Sequence, residues 1–132
     1  MPQLNPLVLK DGAATPANHT FQPRDITGGV AALVESTGVP IGDRRITLAL
    51  NRTTAGRLKA SVKVAIPIVQ DQVLNGVSRP AIVRTAYADV VFSFDGTSST
   101  DERKDLMAFV SNMFKSDQAM MAGFVVDLQG VY

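Results

Sequence analysis

Side chains that could bind nucleic acid recur at every second position in three stretches of the sequence. Cations pair with phosphates, hydroxyl and amide groups hydrogen-bond to base edges, and an aromatic ring stacks on an unpaired base. This alternating set consists of Arg45, Thr47, Ala49, Asn51, Lys59, Ser61, Lys63, Tyr87 and Asp89. Because residues two apart on a β-strand point to the same face, each stretch would present its members together.

The positions between these residues are almost all apolar. They are Ile46, Leu48 and Leu50, then Val62, Val64 and Ile66, then Ala86, Ala88, Val90, Phe92 and Phe94. Such alternation predicts half-buried strands of an antiparallel sheet. Two interpretations of the polar side stay open: an ordinary solvated face, which such sheets commonly have, and a face that binds unpaired nucleic acid. Asp89 does not suit a phosphate, but it could accept from a base amino group or pair with Lys63.

The sequence offers little for catalysis or metal binding. It has no cysteine and a single histidine, His19, which excludes disulfides, thiolate metal sites and a histidine cluster. The neighbours Asn18 and Thr20 predict a polar loop around this histidine. The chain contains no nucleophilic-serine, phosphate-loop or zinc-protease motif. We therefore expect neither an enzyme, nor a cofactor, nor a bound metal.

The net charge of +1 hides an uneven distribution. Residues 44–63 include six basic side chains and no acidic one, whereas residues 85–132 include seven acidic and three basic side chains. The first stretch suits a polyanion and the second does not. No stretch approaches the roughly 20 apolar residues of a membrane span, and the N-terminus lacks the pattern of a signal peptide, so we expect no membrane association.

The predicted elements run from strands to helices, which is typical of an α+β fold in one domain. The predicted strands are residues 4–10, 29–35, 45–51, 59–66 and about 81–94, with a continuation of 59–66 beyond Pro67 left open. Residues 19–22 could return as the second arm of a hairpin with 4–10, and a short helix is the alternative for 29–35. Ser99 and Glu102 form a capping box ahead of an apolar helical stripe that ends at Phe114. Residues 118–128 predict a second, shorter helix.

Several long segments resemble the coat proteins of the small single-stranded RNA bacteriophages, the levivirus family. They are "LVLKDG" near the start, "VESTGVPIGDRRITLAL", "RTAYADVVFSF", "STDERKDL" and the ending "LQGVY". The resemblance implies an N-terminal hairpin at residues 4–24, a five-stranded antiparallel sheet at 29–94 and two C-terminal helices at 99–128 that interlock with a partner subunit. It also accounts for apolar sheet surface that two short helices would leave exposed.

The resemblance further implies a function. Homodimers would assemble into a T=3 icosahedral shell, in which the loop at about residues 71–79 changes conformation between positions. The dimer would bind a hairpin of the genomic single-stranded RNA and repress replicase translation. We expect the protein in the virion, and in the host bacterial cytoplasm during assembly. Whether a maturation protein contacts it stays open, and the alternative is a dimeric RNA-binding module that forms no shell.

Roles for the polar residues follow from the same resemblance. Thr47, Ser61 and Lys63 match a pocket for an unpaired adenine, Tyr87 a stacking tyrosine, Asp89 an RNA-contacting position, and Arg45, Asn51 and Lys59 contacts to the RNA backbone or stem. Ala49 departs from the family pattern, since some relatives have a serine there. Its methyl group cannot form a hydrogen bond, which predicts a less selective pocket or a different hairpin.

Overall fold

The computed structural model describes residues 2–132, which form six strands, one short 3-10 helix and two α-helices. The elements are β1 (Leu7–Lys10), β2 (Asn18–Thr27), β3 (Val30–Glu35), the 3-10 helix Pro40–Gly42, β4 (Arg44–Arg52), β5 (Leu58–Leu74), β6 (Val77–Phe94), α1 (Thr100–Met113) and α2 (Ala119–Val125). The chain divides into two compact units, one ending at Ser93 and one running from Phe94 to Tyr132. No helix of residues 2–132 is both long and apolar enough to cross a membrane.

The six strands form one sheet in chain order, each beside its sequence neighbours. The α+β class is confirmed, but the hairpin is not separate from the sheet as its predicted limits implied. Strand β2 pairs with β1 as far as Phe21, opposite Leu7, and from Gln22 onward it pairs with β3. Residues 23–27, which none of the predicted strands included, are therefore part of a strand. His19 lies on β2, so the prediction that it sits in a loop is wrong.

The buried core lies on the face of the even-numbered residues of β4 and β5. The antiparallel registers align Leu33, Ile46 and Val64 across three strands, and Leu33 and Ile46 are only 0% and 2% exposed. Phe21 from the hairpin and Leu4 from the N-terminal segment pack against this row. Burying each large aliphatic side chain stabilises the fold by about 1.5–3 kcal/mol, so this row is the main apolar support of the sheet.

The long hairpin of β5 and β6 differs from the prediction. The expected loop at 71–79 shrinks to a two-residue turn, in which Asn75 and Gly76 have φ of 54° and 78°. Consecutive positive φ angles are those of a type I′ turn, whose twist matches that of the strands it joins. Strand β5 also continues through Pro67, the continuation that the alternation had left open.

The helical unit begins as the capping box predicts. Ser99 is the N-cap of α1, and its Oγ accepts a hydrogen bond from the backbone N–H of Glu102 at 3.2 Å. Helix α2 is shorter than the predicted 118–128 segment, because the backbone leaves the helix after Val125 and Leu128 adopts a positive φ of 56°. Neither helix buries a residue in the single chain.

Candidate functional site

The register between β4 and β5 brings seven of the nine candidate residues onto one face. The facing pairs are Arg45 with Ala65, Thr47 with Lys63, Ala49 with Ser61 and Asn51 with Lys59. Residues directly opposite in an antiparallel ladder have Cβ atoms about 4.5–5.5 Å apart and lie on the same side of the sheet. We call the surface formed by these residues the polar face; it lies opposite the buried core.

Exposure divides the polar face into a shallow centre and a charged border. Thr47, Ala49 and Ser61 are half-buried, because their side chains are short and neighbouring strands flank them. The cationic side chains of Arg45, Lys59 and Lys63 and the amide of Asn51 are exposed. Short side chains, two of them with hydroxyl groups, thus occupy the centre of the polar face, and exposed cations lie at its border. This arrangement suits a flat polar ligand bearing a negative charge.

The cations of the border are available to an external partner. Among residues 2–132 the ion pairs join His19 to Asp11 and Glu35, Arg24 to Asp25, and Arg44 to Glu35. Arg45, Lys59 and Lys63 form none of them, and the proposed pairing of Lys63 with Asp89 is absent in this part of the chain. An incoming anion therefore has no intramolecular ion pair to displace at these three side chains.

Strand β3 adds an apolar wall that the sequence pattern did not reveal. Val30 lies opposite Ala49 and Ala32 opposite Thr47, so both belong to the polar face. Val30 is 39% exposed and Ala32 only 3%. The run "VAALVE" is apolar at consecutive positions, and for that reason its sequence does not show which residues share a face with Thr47.

A β-bulge in β2 extends the polar face further. Pro23 lies opposite Leu33 on the core side, whereas Asp25 lies opposite Ala32 on the polar side. Arg24 is therefore an extra residue in β2 that has no partner of its own in the register with β3. Alternation from Pro23 places Arg24 on the polar side as well, and the Nε of Arg24 lies 3.3 Å from an Oδ of Asp25. Because a bulge interrupts the period of two, periodicity could not have identified Arg24.

Strand β6 carries the remaining two candidates, Tyr87 and Asp89, on one of its faces. Tyr87 is 75% exposed and Asp89 is exposed too, whereas Val90, Phe92 and Phe94 on the other face are half-buried. A phenol ring that is three-quarters exposed packs little against the isolated chain, so its surface is open to another aromatic system.

Comparison with known proteins identifies the molecule to which this sheet belongs. The sequence model of the family described as "Levivirus coat protein" matches residues 2–132. The capsid protein of Pseudomonas phage PRR1 is 47% identical over 130 residues, which cover 98% of this chain and 99% of that protein. The chain belongs to the levivirus coat-protein family. The coat protein is thus a structural component of the virion and not an enzyme.

Solved structures agree with the fold of the coat protein. The virus-like particle of bacteriophage ESE058 has a subunit with a TM-score of 0.87 at 24% identity, covering 99% of this chain and 100% of that one. An unassembled coat-protein dimer, described as a bacteriophage RNA-binding dimer, has a TM-score of 0.69 at 21% identity, covering 98% of each chain. At these identities the likeness concerns the fold, an antiparallel sheet followed by two helices.

Proposed function

We propose that a dimer of this coat protein binds an RNA hairpin on the polar face, represses replicase translation through that hairpin and packages the RNA in a T=3 shell. The observation that carries the proposal is the β4–β5 register, which sets Thr47 against Lys63, Ala49 against Ser61 and Asn51 against Lys59. Recognition of an unpaired base combines stacking with hydrogen bonds to the base edges. This register supports the proposal because it brings cations and hydrogen-bonding groups together on one face.

Tyr87 and Asp89 join this site if β5 and β6 present their odd-numbered residues on one side. The Nε of Arg57, the residue before β5, donates to the Oγ of Ser93 on β6 at 3.1 Å. On the strength of this contact we take the two residues as opposite each other. Continuing that register sets Lys63 opposite Tyr87. The turn implies a different register, because it sets Leu74 opposite Val77. Counting from that pair would put the odd-numbered residues of β5 on the same side as the even-numbered residues of β6. We therefore infer one register shift between the Arg57 end of the hairpin and the turn.

The shift has a natural position on β5. Pro67 has no backbone N–H and cannot donate to the ladder, and prolines inside strands are found at bulges and edges. A bulge near Pro67 would restore a common face for Lys63 and Tyr87 while keeping the type I′ turn at Asn75–Gly76. The proposal therefore predicts a local irregularity of the β5–β6 ladder around this proline.

The site would act by stacking and charge together. Tyr87 offers a ring on which a loop base stacks, an interaction worth about 1–3 kcal/mol per base. Lys63 neutralises a nearby phosphate, and the hydroxyl groups of Thr47 and Ser61 hydrogen-bond to the edge of a base at the centre of the polar face. Asp89 accepts from a base amino group, which cytosine, adenine and guanine carry and uracil lacks. Ala49 supplies only a methyl surface.

A second copy of the chain would complete the core. An apolar groove of about 600 Å³ lies on the core side of the sheet, with Leu33, Leu48 and Val62 in its wall, and Leu50 beside them is 70% exposed. In the helical unit Phe109 and Met107 are 68% and 66% exposed. Exposed apolar surface of this extent usually marks an interface, which supports helices of one subunit covering the sheet of the other.

The edge of the sheet suits the same dimer. Strand β6 is the last strand in the sheet order, and its 18 residues leave one row of backbone N–H and C=O groups without a neighbouring strand. A long open edge is a template for pairing with another chain. Edge-to-edge pairing of two β6 strands would join the polar faces of two subunits into one surface wide enough for an RNA hairpin.

The experiment that tests the proposal combines electron microscopy with RNA selection. Purified coat protein is imaged by negative stain, and its dimers are used to select from a hairpin library with randomised loops. We expect uniform particles and an enriched hairpin that Tyr87→Ala dimers bind at least tenfold more weakly. Dimers that enrich a hairpin but form no particles would favour the non-assembling RNA-binding module, and the absence of any enriched hairpin would contradict the RNA site.

A further inference from the structure

Four charged side chains meet where the hairpin reaches the end of β3. His19 lies on β2, Asp11 follows β1, Glu35 ends β3 and Arg44 begins β4. The Nε2 atom of His19 lies 2.8 Å from Oδ2 of Asp11, and its Nδ1 atom lies 2.9 Å from Oε2 of Glu35. Arg44 donates from Nη1 to Oε1 of Glu35 at 2.6 Å. This His19 cluster belongs to neither the polar face nor the proposed RNA site.

The geometry of the cluster favours a proton on both ring nitrogens of His19, because each nitrogen faces a carboxylate. A neutral imidazole has one N–H, whereas the imidazolium ion has two. With a neutral ring protonated at Nε2, the lone pair of Nδ1 would face both carboxylate oxygens of Glu35, at 2.9 and 3.1 Å. Nη1 of Arg44 has two N–H groups, so besides Glu35 it could donate to a neutral Nδ1, at 3.3 Å. The two contacts of Nδ1 with Glu35 are shorter than that one, which favours an N–H at Nδ1.

Asp11 ties the cluster to the turn between β1 and β2. Its Oδ1 atom accepts from the backbone N–H groups of Ala13 and Ala17 at 3.1 and 3.0 Å. The same carboxylate thus organises the turn through one oxygen and contacts His19 through the other. Because β1 pairs with β2 alone among the described strands, His19 links the far end of the hairpin to Glu35 on the sheet.

We propose that protonated His19, held between the carboxylates of Asp11 and Glu35, is a pH-dependent clamp that fixes the N-terminal hairpin to the end of β3. Losing the proton removes one of the two hydrogen bonds and the positive charge that lies between the two carboxylates. The hairpin then opens more often at its Asp11 end, while the rest of the sheet keeps its pairing. The clamp does not depend on RNA binding.

The charged surroundings set the direction of the pH dependence. The hydrogen bonds to Asp11 and then to Glu35 raise the pKa of His19 above its usual 6.5, although Arg44 opposes protonation. Lys10 on β1 is the other cation beside the cleft next to the ring, whose walls from β2 and β5 are the apolar Phe21, Val64 and Ile66. The contribution of His19 is therefore complete below about pH 6.5 and lost as pH rises through the raised pKa.

Asp11 sets the acid limit of the clamp. Its hydrogen bond from His19, with those from the backbone N–H groups of Ala17 and Ala13, lowers the pKa of the Asp11 carboxyl to about 2 from 3.8. A lowered pKa gives stability that is complete above the ordinary value and lost as pH falls through the lowered one. The hairpin should be held most firmly between about pH 4 and pH 6.5.

Nitrogen NMR of the assembled protein tests the protonation directly. His19 is the single histidine of the chain, so ¹⁵N-histidine labelling and magic-angle-spinning spectra of sedimented particles give two ring signals without assignment ambiguity. We expect both nitrogens to be protonated at pH 6.5 and to titrate above that value. A neutral ring at pH 6.5 would overturn the proposal.

Hydrogen–deuterium exchange of the same particles tests the clamp itself. After correction for intrinsic exchange rates, peptides covering residues 7–27 should exchange at least threefold faster at pH 8.5 than at pH 6. His19→Gln, which cannot be protonated, should show the fast rate at both pH values. Equal protection of the wild type at the two pH values, or a wild-type pH response retained in His19→Gln, would overturn the proposal.

A second variant keeps the test valid if His19→Gln does not fold. Glu35→Gln retains an oxygen that accepts from Arg44 but removes the negative charge beside the His19 ring. The ring should then lose its proton at a lower pH, so the hairpin should lose protection at a lower pH than in the wild type. Asp25→Asn is the matched control, because it removes a carboxylate from β2, the strand that carries His19, but outside the cluster. A midpoint unchanged in Glu35→Gln, or shifted equally in Asp25→Asn, would contradict the clamp.

Discussion

Lys63 lies directly opposite Thr47 in the ladder between β4 and β5. One residue is an exposed cation and the other a half-buried hydroxyl, and both are on the side of the sheet that faces away from the core. In the proposed function, this adjacency lets the cation contact a phosphate while the hydroxyl group contacts the edge of a nearby base.

Replacing Lys63 with Gln should weaken binding of the selected hairpin and reduce its dependence on salt. Each phosphate contact contributes about one unit to the slope of log K against log salt concentration. Filter binding at several salt concentrations measures both quantities. Lys104→Gln on α1 is the control, since it removes the same charge outside the polar face; an equal change in slope for both variants would argue against a local contact.

Replacing Ala49 with Ser should increase the selectivity of the polar face for one unpaired base over the others. The new hydroxyl would lie opposite Ser61 and could form one more hydrogen bond with a bound base, worth about 1 kcal/mol or roughly fivefold in affinity. Competition between hairpins that differ only in the unpaired base measures the effect. Ala65→Ser, opposite Arg45 on the same face, is the control, and identical selectivity in all three proteins would contradict the pocket.

Arg24→Gln tests the extension of the polar face by the β-bulge. If RNA crosses from β4 toward β2, the variant should bind more weakly and lose about one unit of salt slope. Asp25→Asn should have the opposite effect on affinity, because it releases the guanidinium from the pair at 3.3 Å. Normal binding by both variants, alongside weakened binding by Lys63→Gln, would confine the RNA to β4, β5 and β6.

Two leucines distinguish the core of one subunit from the proposed dimer interface. Leu33 is fully buried and Leu50 is 70% exposed in the single chain. Leu33→Ala should therefore lower the free energy of unfolding by about 2–5 kcal/mol. Leu50→Ala should cost little within one subunit but weaken dimerisation, if partner helices cover it.

Urea denaturation at several protein concentrations separates these two effects. Leu33→Ala should unfold at a lower urea concentration than the wild type at every protein concentration. Leu50→Ala should fall below the wild type at protein concentrations where the wild type is dimeric, and the two should converge where both dissociate. A Leu50→Ala midpoint equal to that of the wild type at every protein concentration would argue against partner contact at this position.

Periodicity predicted the elements wherever a strand had one polar and one apolar side. The alternation from Arg45 to Asn51 and from Lys59 to Lys63 assigned those residues to a common side of each strand, and the ladder confirms it. Ser99 and Glu102 predicted the start of α1 for a similarly local reason, since capping depends on residues three apart. Such patterns are local, and the chain carries them without its tertiary contacts.

The tertiary structure decided which strands meet and at what register. Val30 entered the polar face through its position opposite Ala49, and Arg24 through an extra residue in β2; neither leaves a periodic signal. His19, with polar neighbours, suggested a loop, yet it contacts carboxylates 8 and 16 residues away. The sequence by itself determined the strands, the helix start and the side of each strand on which the candidate residues lie. Pairing between strands decided which of those residues meet in one site, because contacts between residues distant along the chain depend on register rather than on composition.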